Sequence, residues 1–162
     1  MRLLRHLFAP SAQRLFPAAT MDRIAAAIAE GERRHAGQVL FAVEPALHWR
    51  AVLAGVDARR SAEHAFARLR AWDTEANNGV LLYLLLADHR IEIVADRGLR
   101  GVVDESHWRA ICERMEVGLR GGDAEAAVIG AVGALSDLLT HHFPAPAGGK
   151  AGNELPDRPQ IL

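Results

Sequence analysis

Residues 80–87 read VLLYLLLA, an apolar run with no charge and only a tyrosine hydroxyl to offer water. Gly79 precedes it and Asp88-His89-Arg90 follows, so the run has the length of a strand and not of a helix. A strand without polar alternation must be covered on both faces, because a one-sided sheet shows polar residues at every second position. The run is therefore expected to be the central strand of a sheet with layers above and below it. With 162 residues, 50% of them hydrophobic, the chain has enough material for one such core and one domain.

The remaining patterns supply those layers. Thr20 is a suitable N-cap, and Met21, Ile24, Ala25 and Ile28 recur on one helical face, which predicts a helix over residues 21–35 stopped by Gly37. Residues 38–44 (QVLFAVE) read as a second strand buried on both faces and ended by Pro45. Residues 49–55 allow one or two loose helical turns. From Asp57, a second N-cap, the residues Ala62, Ala65, Phe66, Leu69 and Trp72 make a helix stripe, and a polar loop over residues 73–78 closes it.

Beyond the central strand, Asp88-His89-Arg90 turns the chain into a third strand over residues 91–95, where Glu92 marks a less buried or edge position. Asp104 can cap a helix carrying Trp108, Ile111, Cys112, Met115 and Leu119. After Gly121-Gly122, a last helix puts Val128, Ala131, Val132, Leu135, Leu138, Leu139 and His142 on one side. A helical crossover implies a parallel pair and a tight turn an antiparallel one. The expected fold class is thus α/β, a mixed, mostly parallel sheet sandwiched by helices in the order α-β-α-β-β-α-α. Residues 1–15 read as an N-terminal docking helix, 16–143 as the α/β domain, and 144–162 as an extended tail, laid on the surface or partly disordered.

Several function classes fall away. Nineteen Lys and Arg against twenty Asp and Glu leave no basic surplus for nucleic acid. A single cysteine, Cys112, excludes an internal disulfide framework, suits a reducing compartment, and sits on a helix's apolar face as an inert thiol. Arg5 and His6 interrupt the first apolar residues, so no signal-peptide core forms, and no stretch reaches the roughly 20 apolar residues of a transmembrane segment. The expected localisation is cytoplasmic. No dinucleotide or P-loop fingerprint is present, so no nucleotide cofactor is expected, and no His-Glu-x-x-His occurs. Arg34-His35-Ala36 lacks the glycine and the position of a phosphate-receiving histidine. Gly118 stands where a phosphate-binding cysteine loop after Cys112 needs arginine.

An antiparallel hairpin makes one geometric demand: the central strand begins where the third strand ends, so the 73–78 loop and the Asp96-Arg97-Gly98 turn must meet. Asp73, Glu75, Asp96 and Asp104 could then converge at one rim of the sheet with Trp72, Asn77, Asn78 and Arg97. Such oxygen donors suit a hard divalent cation, Ca²⁺ or Mg²⁺, with Asp73, Asp96 and Asp104 as its ligands and Arg97 as a phosphate contact. The plainer reading is that Asp104 only caps its helix, that Asp73 and Asp96 satisfy loop amides, and that Arg97 pairs with one of them.

Trp72-Asp73, Asn77-Asn78-Gly79-Val80-Leu81-Leu82, Ala87-Asp88-His89-Arg90-Ile91-Glu92-Ile93 and Asp96-Arg97-Gly98-Leu99 together resemble the central signature of TPM domains. Gly121-Gly122-Asp123 and the small-residue helix through Gly130 and Gly133 fit the same family. The resemblance covers roughly residues 16–144, and Asn-Glu-Leu-Pro-Asp in the tail marks a bacterial branch without signal peptide or membrane anchor. It implies an α/β sandwich with a mixed sheet. Relatives are linked to acid phosphatase activity, to repair of a photosynthetic complex in the thylakoid lumen, to bound calcium and to modulation of a receptor. The family usually carries an acidic residue before its first helix, where this chain has Phe16-Pro17-Ala18-Ala19-Thr20. Two functions are thereby expected: an interaction or accessory module with a protein partner, a membrane-associated one among the choices, or a weak metal-dependent acid phosphatase.

Overall fold

The computed structural model describes residues 1–147 and 153–162. Two short helices, α1 (Arg2–Leu7) and α2 (Ala12–Leu15), lead into α3 (Ala18–Glu32), β1 (Gln38–Glu44), α4 (Trp49–Leu53) and α5 (Ala58–Arg68). The hairpin β2 (Gly79–Leu85) and β3 (Arg90–Ala95) follows, then a single 3-10 turn at Arg97–Leu99, α6 (Glu105–Arg120), α7 (Ala124–His142) and a short β4 (Gln160–Ile161). The sheet order is β3-β2-β1-β4. β1 runs parallel to both β2 and β4, and β2 and β3 are antiparallel, so the sheet is mixed and mostly parallel as the sequence implies.

Every residue of β2 is buried, which is what an uninterrupted apolar strand requires. Alternate residues feed two separate cores. Val80, Leu82 and Leu84 face α3, α6 and α7, packing with Ile24, Ile28, Met115, Val132 and Leu135. Leu81, Tyr83 and Leu85 face α5 and its neighbours, packing with Val52, Ala62 and Ala65. A polar pair sits in the second core, the Tyr83 hydroxyl donating to Glu44 Oε2 at 2.5 Å. β3 lies at the sheet edge, where Glu92 is only partly buried.

Two helix boundaries differ from the sequence expectation for a local reason. α3 starts at Ala18 behind Pro17, whose φ of -63° suits a helix entrance, and Thr20 lies inside it. The Thr20 hydroxyl donates instead to Glu125 Oε2 on α7 at 2.6 Å. α5 ends before Trp72, because Arg70 takes a φ of 56° that no helix continues through. Trp72 is therefore a rim residue, 48% exposed, with the Arg70 guanidinium 5.7 Å from its ring.

The tail also does more than lie on the surface. Leu155 is buried against the second core, and β4 adds a strand beside β1, closed by Leu162 N–H donating to Val43 O at 3.0 Å. Gly- and Pro-rich composition hides a strand of this length from any periodicity argument. Residues 148–152 of the expected tail lie outside the described residues.

Candidate functional site

Register brings the two loops together. Val80 stands opposite Ala95, and Asp96 N–H donates to Gly79 O at 2.9 Å, so the 73–78 loop and the turn after β3 leave the hairpin side by side. Gly98 N–H donates to Asn77 O at 2.9 Å, and Arg97 Nε donates to the Asn77 side-chain oxygen at 2.8 Å. Asn77 holds a φ of 51°, a left-handed conformation that asparagine tolerates better than most residues.

Asn78 is buried and works structurally. Its N–H donates to the Thr74 hydroxyl at 3.1 Å and its Nδ2 donates to Ala36 O at 2.9 Å, tying the loop to the start of β1. Trp72, Asp73, Glu75, Asn77, Asp96 and Arg97 line an open cleft of about 510 Å³ at this rim. Six of the sequence-predicted residues are thus brought to one place, and Asn78 lies beneath them.

Their carboxylates are not equivalent. Asp73 pairs with Arg70 at 2.6 Å on the surface. Asp96 Oδ1 accepts the Arg97 N–H at 2.7 Å, while its Oδ2 is shielded from solvent and has no hydrogen-bond partner. An unpaired carboxylate oxygen out of water is costly, so it marks where a cation or donor would be welcome. Asp104 is not part of the cleft lining. Its Oδ1 accepts the Ser106 N–H at 2.8 Å as the N-cap of α6, and the hydrogen bonds from Ser106 hold its carboxyl below the usual range. Among the described residues, no three of His, Cys, Asp and Glu are grouped as a metal-holding set.

One wall of the rim comes from the tail. Gln38 Oε1 accepts the N–H groups of Glu154 and Leu155 at 3.0 and 3.2 Å, and Glu154 Oε2 accepts the Glu75 N–H at 2.7 Å. The Asn-Glu-Leu-Pro-Asp segment therefore bears directly on the loop that carries Glu75. Its one apolar residue in a polar stretch, Leu155, was the available signal for docking.

A family model of the TPM domain matches residues 11–138, and the loop, hairpin and turn just described are inside that span. The chain belongs to the TPM domain family. The fold of this TPM domain is similar to that in the NMR structure of BA42 protein from the psychrophilic bacterium Bizionia argentinensis, with a TM-score of 0.81 at 20% identity over 94% of this chain and 99% of that one. At that identity the likeness concerns the fold alone. No curated protein matches the TPM domain described here.

Outside the rim, Cys112 behaves as its helix position suggests. Burial pushes its thiol up to about 11, with the Glu92 carboxylate adding to the effect. Alkylation by iodoacetamide at neutral pH should run at least about tenfold slower in the folded TPM domain than in the denatured chain, because at fixed pH a higher thiol pKa lowers the thiolate fraction about tenfold for each unit. Equal rates in both states, read by mass spectrometry, would contradict this burial.

Proposed function

We propose that this TPM domain is a cytoplasmic interaction and accessory module whose rim cleft takes a divalent cation, Ca²⁺ or Mg²⁺, when it engages a protein partner. The observation that carries the reading is Asp96 Oδ2, a sequestered carboxylate oxygen without a hydrogen-bond partner, on a cleft that Asp73 and Glu75 also line. Asp73 can turn toward a cation by giving up its exposed pair with Arg70, an interaction worth only about 0–1 kcal/mol. Water completes the shell of the 6 to 8 oxygens that Ca²⁺ takes, so the ion is weakly held. Asp104 is engaged as a helix cap and joins this set only by giving up the Ser106 N–H.

An accessory role requires no base or nucleophile. The alternative, a weak metal-dependent acid phosphatase, is favoured by Arg97, whose guanidinium lines the same cleft and could hold a phosphate oxygen. It would also need one of the lining carboxylates to activate water, a role that the accessory reading does not require.

Millimolar Ca²⁺ or Mg²⁺ should raise the melting temperature of the wild-type chain, since a ligand of the folded state alone stabilises it by mass action. Asp96→Asn should remove most of that rise and Asp73→Ala part of it. A melt that is unmoved by either cation would sink the cation reading. Cation-dependent hydrolysis of an aryl phosphate, lost in Arg97→Ala, would establish the phosphatase instead.

A further inference from the structure

α1 is oriented with Arg2 and His6 inward. Arg2 Nε donates to Asp88 Oδ2 at 2.9 Å and Arg2 Nη2 to Val56 O at 2.7 Å. His6 is buried, accepts the Leu47 N–H on Nδ1 at 2.9 Å and places Nε2 3.1 Å from Asp88 Oδ1. Leu3 alone of the apolar residues reaches the core, packed on the second cluster. The other side is left to solvent: Leu4 is 55%, Leu7 60% and Phe8 81% exposed.

Such an inversion is costly in water, because apolar side chains on an amphipathic surface helix normally face the core. The polar anchors fix its direction, so the stripe is held outward and does not simply fray. Leu4, Arg5 and Phe8, at helical spacing, share one face with Leu86, Ala87 and His89 from the hairpin end of β2. We propose that this face docks the chain on an anionic lipid surface, with Leu4, Leu7 and Phe8 entering the headgroup region and Arg5 contacting lipid phosphates.

Charge and size select that occupant. Residues 1–21 contain three arginines and no aspartate or glutamate. Arg2 is consumed by Asp88, which neutralises the nearest acid, whereas the exposed Arg5 and Arg14 guanidinium groups have no ion-pair partner among the described residues. Leu4 to Phe8 rises only about 6 Å along the helix, so three side chains cannot by themselves make the roughly 800 Å² per partner that a stable protein interface buries. Short apolar tips beside an arginine match an interfacial segment, where the arginine stem lies along the acyl boundary and its head reaches phosphate. The stripe sits at the end of β2 opposite the rim cleft, roughly 20 Å away along the strand, so docking leaves the cleft facing outward. Lipid docking through α1 therefore does not depend on the rim cleft.

The full chain should co-float with phosphatidylcholine–phosphatidylglycerol vesicles at low salt and bind phosphatidylcholine vesicles poorly. High salt should weaken the anionic binding. The double variant Leu4→Gln/Phe8→Gln and, separately, Arg5→Glu should each lower the bound fraction on anionic vesicles roughly tenfold or more. Their melting curves should match wild type, since these side chains are solvent-exposed, and Asp96→Asn should bind as wild type does. Absence of binding to anionic vesicles overturns the proposal, as does binding that Leu4→Gln/Phe8→Gln leaves intact. A concentration-dependent dimer abolished by that variant, without vesicle binding, would assign the stripe to a second copy and overturn it equally.

Discussion

Alanine at Gly79 should lower the unfolding free energy by roughly 3 kcal/mol, whereas alanine at Gly130 should raise it by up to about 1 kcal/mol. A Cβ at Gly79 would stand 1.9 Å from the Ala71 carbonyl oxygen, and that oxygen belongs to backbone that cannot swing aside. Gly79 opens the central strand and its own carbonyl accepts the Asp96 N–H, so relief would require parting β2 from the turn after α5. At Gly130, on an exposed side of α7, a Cβ meets nothing within 4 Å, and the helix gains from the loss of unfolded-state freedom.

Gly98→Ala should be intermediate, at about 2 kcal/mol, because its Cβ would lie 2.5 and 2.6 Å from the Asn77 and Ala76 carbonyl oxygens. It should also open the rim, breaking the Gly98–Asn77 contact that holds loop and turn together. Urea titrations of the three variants check the order. A Gly79→Ala protein within about 0.5 kcal/mol of wild type would show that the approach of Ala71 is not fixed.

The same contrast explains what was legible in the sequence. The strand 80–87, the hairpin turn and the caps Asp57 and Asp104 rest on short-range patterns, and the Asp57 and Asp104 side chains do accept the N–H groups of Arg60 and Ser106. The meeting of the 73–78 loop with Asp96-Arg97-Gly98 was also legible, because antiparallel pairing fixes which strand ends are neighbours. Which oxygens remain free was not. That depends on Arg70 reaching Asp73 and on Asp96 Oδ1 taking the Arg97 N–H, choices made by side-chain geometry and not by spacing.

Nor was the inversion of α1 legible. Arg2, Arg5 and His6 look alike as polar residues near an apolar helix, and only Asp88, brought round by the β2–β3 turn, makes Arg2 and His6 the inward pair. The tail belongs with these long-range cases. Gln38 meets Glu154 and Leu155 across more than a hundred residues, and the strand β4 that follows is too short to carry a period.

Glu32 ties that tail to pH. Burial raises its carboxyl from 4.5 to about 8, the Val39 N–H opposes this by donating to Oε1 at 2.8 Å, and the carboxylate of Asp157 raises it further. Between pH 4.5 and about 8 the folded protein therefore holds a proton that the unfolded chain releases. The stability that this proton supplies is complete below the unfolded value and is lost as pH rises through the window. The slope is on the order of 1 kcal/mol per pH unit, a few kcal/mol in all. Glu32→Gln keeps an acceptor for Val39 and supplies a permanent N–H toward Asp157, so its stability should not fall across the window. At pH 9 the variant should be more stable than wild type by roughly 2–3 kcal/mol, and at pH 5 the two should nearly coincide. The difference between the two proteins cancels the opposite contribution of Glu125, whose carboxyl Arg23 and Thr20 hold down at about 2. Parallel curves for wild type and variant between pH 5 and 9 would mean that Glu32 is ionised in the folded chain. In that case the tail would be held against a charged neighbour, and the Leu162 amide, bonded to Val43 O, should exchange no faster at pH 9 than base catalysis alone requires.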